Sequence, residues 1–375
     1  MTSLIVKELE NKSIVWFENS NQYLVLEQLA ASIVSDLSEK KDIKQIAAQL
    51  ESELDIPFEK AIDFVLDIEE KIVKPNTESV KKKPRSSKNY TTPKSFAYTK
   101  VYLINSKTFK VQFSNEFELS LIHPKFAHLE TLSVSQPSHE MKVFNNANHI
   151  YFSLDNELIG SWSRKDVHYF QGKFSMKIIE STYEKLEDKW MGVFHASAIG
   201  QGKNSALVLG DSGNGKSTSL ALLQAHGLNC IADDFVPIDN QRKVHAFPAG
   251  ISIKKNSLET LLPIYPELAN SAEYNYTRLN KIVRYLPPKD IDYEKTHPCK
   301  ALVFIKYNKD VDFEFEQISN INAFEKLIPD SWISQKQENV SIFLDWFSSL
   351  PCYELTYSDN QKMIDTMSKV INNEL

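Results

Sequence analysis

The feature that most constrains the fold of this 375-residue chain is the concentration of its few glycines. The sequence contains only 10 glycines, and five of them lie within residues 200–215. Residues 210–218 match the phosphate-binding pattern G-x-x-x-x-G-K-[ST]. At average amino-acid usage, such a match arises by chance in only about one chain of this length in a hundred. The loop therefore predicts a binding site for a nucleoside triphosphate.

The residues on either side of this loop are typical of a strand and a helix. Residues 205–209 form a short apolar run, and residues 218–225 carry leucines suited to packing on one side of a helix. A strand, a glycine-rich loop and a helix in this order direct backbone N–H groups and a helix N-terminus towards phosphate. The predicted nucleotide-binding residues are Gly210, Asp211, Ser212, Gly213, Asn214, Gly215, Lys216, Ser217 and Thr218.

Two neighbouring aspartates follow the next predicted strand. Gly227 is expected to end the preceding helix, residues 229–232 read as a strand, and Asp233 and Asp234 come directly after it. Ligands bind at the carboxyl ends of the strands in open α/β sheets, so the aspartates and the loop are expected at the same edge. His195 lies ahead of the strand that leads into the loop.

Together these blocks, residues 194–199, 210–217 and 231–234, resemble the HPr kinases and their relatives. The resemblance covers about residues 100–370. It implies an α/β fold of the P-loop type that HPr kinase shares with phosphoenolpyruvate carboxykinase. Relatives in lasso-peptide clusters phosphorylate a serine of a precursor peptide. The resemblance therefore implies that this chain phosphorylates a peptide hydroxyl.

Each site residue has an expected role. Lys216 is expected to pair with the β- and γ-phosphates of ATP, and Ser217 to bind Mg²⁺. The resemblance makes Asp233 the base that accepts the acceptor proton. Asp234 is expected to hold Mg²⁺ directly or through water, and His195 to lie near the transferring phosphate and the aspartates. Arg278, Lys281 and Arg284 resemble a basic stretch in these relatives, and one of them is a candidate to stabilise the transferred group. The alternative is that they form a solvated face. No base-reading motif stands out, so GTP stays open beside ATP.

Two departures from the HPr kinase pattern narrow the expected activity and acceptor. Thr218 stands where these kinases usually carry an acid after the motif serine. The glycine-rich C-terminal signature is missing, since only Gly250 follows Gly227. We therefore expect a kinase without phosphorylase activity, acting on something other than HPr.

Residues 1–72 read as a small separate domain with short strands followed by three amphipathic helices, the size of a winged-helix unit. Residues 23–31 and 43–47 resemble the PqqD family of peptide-recognition domains. This resemblance implies that a leader peptide adds a strand to the sheet edge. The expected contact residues are Tyr23, Val25, Phe58 and Phe64. The alternative, a DNA-binding winged helix, is disfavoured because the third helix is acidic.

The rest of the chain divides into three regions. Residues 73–97 are basic and punctuated by proline, which predicts a flexible linker, with a docking site for an acidic peptide as the alternative. Residues 98–190 read as a β-rich subdomain in which residues 174–179 are one of the expected strands. Residues 191–375 are the predicted catalytic domain.

Composition limits the partners. The formal net charge is −6, so no global basic field recruits nucleic acid. There is no apolar run of 18 residues that would predict a membrane span. The three widely spaced cysteines predict buried free thiols in a reducing cytoplasm. The resemblance to HPr kinase allows a homo-oligomer such as a hexamer.

The sequence thus predicts an ATP- and Mg²⁺-dependent kinase. It is expected to phosphorylate a serine or threonine hydroxyl of a ribosomally synthesised precursor peptide recruited by the N-terminal domain. Two other functions share the same motifs. One is a small-molecule hydroxyl kinase, and the other is a nucleotide-gated binding module without catalysis.

Overall fold

The computed structural model describes residues 4–77, 91–132, 135–146, 148–276 and 281–375. The chain is of the mixed α/β class and contains several sheets. Contacts divide it into two units, of which the first comprises Met1–Pro84 with Gln317–Cys352 and the second Arg85–Glu316 with Tyr353–Leu375. Within the described ranges, no helix is both long and apolar enough to cross a membrane.

The strands of the described residues are numbered in chain order. They are β1 (Leu4–Leu9), β2 (Lys12–Phe17), β3 (Gln22–Glu27), β4 (Tyr98–Ile104), β5 (Lys107–Phe113), β6 (His139–Asn146), β7 (His149–Leu154), β8 (Glu157–Ser163), β9 (Trp190–Phe194), β10 (Ser197–Gln201), β11 (Asn204–Leu209), β12 (Asn229–Ala232), β13 (Val236–Asp239), β14 (Lys243–Val244), β15 (Ile251–Lys254), β16 (Tyr274–Tyr276), β17 (Lys281–Leu286), β18 (His297–Tyr307), β19 (Phe313–Ile318), β20 (Ser331–Ile333) and β21 (Cys352–Tyr357).

The α-helices are numbered in the same way. They are α1 (Gln28–Ser38), α2 (Ile43–Leu54), α3 (Phe58–Ile68), α4 (Lys74–Thr77), α5 (Glu116–Phe126), α6 (Val167–Tyr183), α7 (Lys216–Ala225), α8 (Leu258–Leu261), α9 (Asn320–Leu327), α10 (Gln337–Ser348) and α11 (Asn360–Asn372).

The first unit contains an antiparallel sheet in the order β1-β2-β3, followed by helices α1 to α3. The strands and helices predicted for residues 1–72 are therefore confirmed as elements. The end of this region differs from the prediction. One π-helical turn, Glu69–Val73, joins α3 to α4, so residues 73–77 are helical rather than part of a linker. Val73 is buried in the core of the unit, which explains why the helix continues.

Residues 317–352 belong to this first unit, although the sequence predicts a catalytic domain from 191 to 375. The Tyr23 ring centroid lies 5.9 Å from that of Phe324 in α9 and 5.9 Å from that of Phe343 in α10. Lys7 Nζ also pairs with Asp345 at 2.6 Å. These contacts join residues about three hundred positions apart, and no local sequence pattern predicts them.

The second unit begins with a five-stranded sheet in the order β4-β5-β6-β7-β8. The prediction of a strand at residues 174–179 is wrong, because they lie in the middle of helix α6. Phe170, Phe174 and Ile178 are buried at intervals of four residues, which is helical spacing. Most of the predicted linker, residues 78–90, lies outside the described residues, and residues 91–97 have no regular secondary structure.

The central sheet of the second unit includes seven strands in the order β12-β10-β11-β18-β14-β13-β9. Strands β11 and β18 run parallel, with Val208 opposite Val303. Helix α7 packs on β10 and β12, while α11 packs on β10, β11 and β18. Their shared core includes Leu220, Leu223, Leu355 and Met367. A separate sheet, β15-β17-β16, also belongs to this unit. The loops after β9, β11 and β12 and the first turn of α7 carry His195, the glycine-rich loop, Lys216, Ser217 and the two aspartates.

Candidate functional site

The glycine-rich loop joins β11 to α7, as the sequence predicts. Gly210 and Gly215 have φ of 140° and 94°, which side-chain-bearing residues rarely adopt. A Cβ atom on Gly210 would lie 2.6 Å from the carbonyl oxygen of Ile305. Glycine is therefore required here for both conformation and space. Helix α7 begins at Lys216, directly after Gly215, so its N-terminal turn follows the loop without a break.

Two side chains at the start of α7 are fixed in different ways. Lys216 is buried, and its ammonium group donates a hydrogen bond to the carbonyl oxygen of Gly210. This bond places the positive charge across the inside of the loop. Ser219 Oγ donates to the carbonyl oxygen of Gly215 at 2.9 Å and lies 2.8 Å from the hydroxyl oxygen of Tyr357. The helix N-terminus is thus anchored to β21, behind the loop.

Asp233 is buried at the end of β12, and both of its carboxylate oxygens accept hydrogen bonds. Oδ1 accepts from the Ser197 hydroxyl at 2.6 Å. Oδ2 accepts from the Ser217 hydroxyl at 3.0 Å and from the backbone N–H of Ser252 at 3.0 Å. The aspartate therefore joins β10, α7 and β15. The predicted meeting of the aspartates with the glycine-rich loop is confirmed by this contact.

The environment of Asp233 changes its acidity. Burial raises its pKa to about 6, and the negative charge of the adjacent Asp234 acts in the same direction. Hydrogen bonds from Ser197, the Ser252 backbone and Ser217 oppose this rise. A buried carboxyl group with a strongly shifted pKa is a feature of functional sites.

Asp234 has a different environment from its neighbour. Its φ is 61°, a left-handed conformation that is uncommon for residues with a side chain. Its side chain is only partly buried and lines a cavity of about 210 Å³ together with Lys216 and Ser217. His195, exposed in the bend between β9 and β10, lines the same cavity. The cavity thus brings Lys216, Ser217, Asp234 and His195 together, and Asp233 does not line it but contacts its lining residue Ser217.

Of the three predicted downstream cations, the structure describes two, Lys281 and Arg284. Arg284 in β17 donates to the carbonyl oxygens of Leu268 and Ser271 and pairs with Glu273 at 3.2 Å. It does not line the cavity. Lys281 is the first residue of β17, and Arg278 lies outside the described residues.

Strand β15 supplies site residues that the sequence interpretation missed. Ser252 and Lys254 both line the cavity, and Lys254 Nζ donates to Ser212 Oγ at 3.1 Å. Residues 251–254 alternate apolar and polar, which is the signal of a strand with one face in the core. That pattern does not reveal where the polar face points, so the role of Lys254 could be seen only in three dimensions.

The four predicted leader-binding residues lie in the first unit with unequal exposure. Tyr23 is partly buried, its hydroxyl group has no hydrogen-bond partner among the described residues, and burial raises its pKa strongly. Its ring packs against Phe324 of α9 and Phe343 of α10. Val25 and Phe58 are partly buried. Phe64 in α3 is 40% exposed. Strand β3 pairs only with β2 in the described sheet, so its other edge has no strand partner there.

The oxygen donors of the cavity suit a hard cation. Mg²⁺ is usually bound by one or two protein oxygens together with phosphate oxygens and water. Ser217 and Asp234 offer a hydroxyl and a carboxylate beside the loop. No cluster of three or more His, Cys, Asp or Glu side chains suited to a metal occurs in the described ranges. The three cysteines are buried and free, as predicted.

No protein-family model matches the chain, and a search of curated proteins gives no match. The resemblances to HPr kinase and to the PqqD family therefore stay predictions that rest on the residues quoted above.

Proposed function

We propose that this protein is a kinase that transfers the γ-phosphoryl group of ATP to a serine or threonine hydroxyl of a ribosomally synthesised precursor peptide. The observation that carries the proposal is the single cavity in which the glycine-rich loop, Lys216, Ser217, Asp234 and His195 meet, with Asp233 hydrogen-bonded just beneath it. This is the set of groups that a P-loop phosphotransferase of the HPr kinase type needs.

The phosphate end of the cavity is supported by charge and backbone geometry. The backbone N–H groups of the loop and the first turn of α7 present positive charge to an anion. The Lys216 ammonium, now on the Gly210 carbonyl oxygen, can exchange this neutral acceptor for phosphate oxygens. These groups bind the triphosphate and hold its γ-phosphorus in a fixed direction.

The acceptor end is supported by the acidic pair. In the transfer, the bond from γ-phosphorus to the β–γ bridging oxygen breaks, and a bond to the acceptor hydroxyl oxygen forms. The hydroxyl proton passes to a carboxylate, for which Asp233 is the predicted acceptor. Its raised pKa suits a group that must take up a proton. His195, on the exposed side of the cavity, is suited to contact the transferred group.

Magnesium fits the same site. Ser217 and Asp234 would hold the ion, which when bound neutralises negative charge on the phosphates. The Ser217 hydroxyl already lies in contact with Asp233, so its orientation is set by the protein.

Recruitment of the peptide through the first unit is the second part of the proposal. It is supported by the β3 edge without a strand partner in the described sheet and by the exposed ring of Phe64. An extended peptide can add to such an edge through main-chain hydrogen bonds, while an exposed aromatic ring contributes side-chain contacts.

The proposal is tested by following ATP labelled either in the γ- or in the α-phosphate. The protein, Mg²⁺ and the peptides encoded beside its gene are incubated with each label. We expect the γ-label, and not the α-label, to appear on a peptide, with ADP as the other product. Transfer of the α-label would indicate nucleotidyl transfer instead. Consumption of ATP only when a free hydroxyl metabolite is added would identify a small-molecule kinase and overturn the peptide assignment.

A further inference from the structure

Strand β15 is built with one face in the core and the other at the candidate site. Ile251 and Ile253 are buried in the apolar core of the second unit. Ser252 and Lys254 point to the opposite face, since successive side chains of a strand alternate. The backbone N–H of Ser252 donates to Asp233, and Lys254 Nζ donates to Ser212. One short strand therefore touches both the aspartate and the glycine-rich loop.

The backbone position of Lys254 is set by the pairing of β15 with β17. In the sheet β15-β17-β16, Lys254 lies directly opposite Val283 of β17, and Val283 also lines the cavity. The strand backbone thus brings the lysine stem to the cavity wall, and its flexible end can move without displacing the strand.

Two ammonium groups consequently flank the loop. Lys216 approaches from within the loop, and Lys254 approaches from β15. Among the described residues, the other titratable or charged side chains that line the cavity are Asp211, Asp234 and His195. An ammonium bound to a neutral serine hydroxyl gains a stronger hydrogen bond when an anionic phosphate oxygen takes the place of that hydroxyl.

We propose that Lys254 binds the terminal phosphate of the bound triphosphate and stabilises its oxygens during transfer. This inference rests on the proposed function and gives Lys254 the role that the sequence predicted for Arg278, Lys281 or Arg284. Lys254 neither gives nor takes a proton in the step. It keeps its charge while the bond to the leaving oxygen breaks and the bond to the acceptor oxygen forms.

The test compares Lys254→Met with Lys255→Met in the full chain. Lys255 is the next residue, is exposed, and does not line the cavity, so its variant is a matched control for loss of one lysine. Binding of ADP and of the non-hydrolysable imido analogue of ATP is measured by calorimetry with Mg²⁺ present. Circular dichroism melting verifies that both variants are folded. No acceptor peptide is needed.

We expect Lys254→Met to weaken binding of the ATP analogue about tenfold or more, with little change for ADP, because only the analogue has the terminal phosphate. Lys255→Met should bind both nucleotides as the wild type does. Equal weakening of ADP and analogue, or equal behaviour of the two variants, would overturn the role of Lys254 while leaving the kinase proposal intact. A wild-type protein that binds neither nucleotide would overturn both.

Discussion

The hydroxyl group of Ser217 donates a 3.0 Å hydrogen bond to the carboxylate of Asp233. This contact joins two features that are separate in the sequence, the phosphate-binding loop and the end of the next strand. It also fixes the serine hydroxyl on the side of the loop where a triphosphate and its cation would bind. The relationship makes Asp233 both a candidate proton acceptor and a structural support of the loop.

Replacing the carboxylate of Asp233 separates catalysis from binding. We expect Asp233→Asn to reduce phosphoryl transfer by about 10²-fold or more, since the amide cannot accept the acceptor proton. ADP affinity should change little, because the loop N–H groups and Lys216 remain. Turnover and calorimetric ADP binding are the two measurements. An Asp233→Asn variant that keeps near-wild-type turnover would show that Asp233 is not the proton acceptor.

The conformation of Gly210 predicts a position-specific loss of nucleotide binding. Gly210→Ala would bring a Cβ atom against the carbonyl oxygen of Ile305 in a backbone region that alanine disfavours. We expect the loop to shift and nucleotide affinity to fall at least tenfold, measured by calorimetry. Gly172→Ala is the control, because nothing lies within 4 Å of the added atom and α6 should be stabilised. Unchanged affinity in Gly210→Ala would show that the loop geometry is not needed for binding.

A buried carboxylate in the second unit predicts the pH dependence of stability. Asp239 accepts hydrogen bonds from His245 Nε2 at 2.8 Å and from Lys185 Nζ at 2.7 Å. Burial alone would raise its pKa, but these bonds more than offset burial and lower the pKa to about 2. The folded state therefore favours the ionised form, and this stabilisation is present above the unfolded pKa near 4 and is lost as the pH falls towards 2.

We accordingly expect Asp239→Asn to lower the free energy of unfolding by about 2 kcal/mol at pH 7. The difference from wild type should shrink steadily below pH 4. Urea unfolding at pH 7 and near pH 2.5 measures it, with the exposed Asp310→Asn as control. A difference that is as large in acid as at neutral pH would show that lost packing, rather than ionisation, accounts for the effect.

Recruitment of a peptide is best tested by a surface substitution. Deleting residues 1–72 would also remove the contacts of Tyr23 with Phe324 and Phe343. The effect of such a deletion on peptide recruitment therefore could not be separated from its effect on folding. Phe64→Ala removes an exposed ring and should raise KM for a leader-bearing peptide severalfold without changing intrinsic ATP hydrolysis. Leu54→Ala in α2, which removes another exposed apolar side chain, should leave KM unchanged. The recruitment proposal fails if both variants have the same KM.

Local patterns were sufficient to predict part of the fold and the site. The run from β11 through the loop into α7, and strand β12 before the aspartates, follow from apolar spacing and glycine content. The strand prediction for residues 174–179 was wrong because a short apolar run fits a strand as well as one face of a helix. Only the length of the whole element, α6, distinguishes the two. The grouping of 317–352 with the first unit depends on distant aromatic contacts, which local patterns do not encode.

The same limit applies inside the site. Lys216 and Ser217 could be named as candidates because the loop motif contains these residue types at a set spacing. Lys254 could not, because the sequence gives the alternation of β15 but not the element that its polar face meets. Ser197 was likewise hidden, since its role arises only from the hydrogen bond to Asp233. Arg284 has suitable chemistry, but backbone carbonyl groups and Glu273 already hold its guanidinium.

The central claim, γ-phosphoryl transfer to a peptide at this cavity, is tested most directly by intact-mass spectrometry. The peptides encoded beside the gene are incubated with ATP, Mg²⁺ and either wild-type protein or Lys216→Met. We predict that one peptide gains the mass of a single phosphoryl group with the wild type and gains none with the variant, which lacks the loop ammonium group. Unchanged peptide masses with the wild type while ATP is consumed, or equal modification by both proteins, would contradict it.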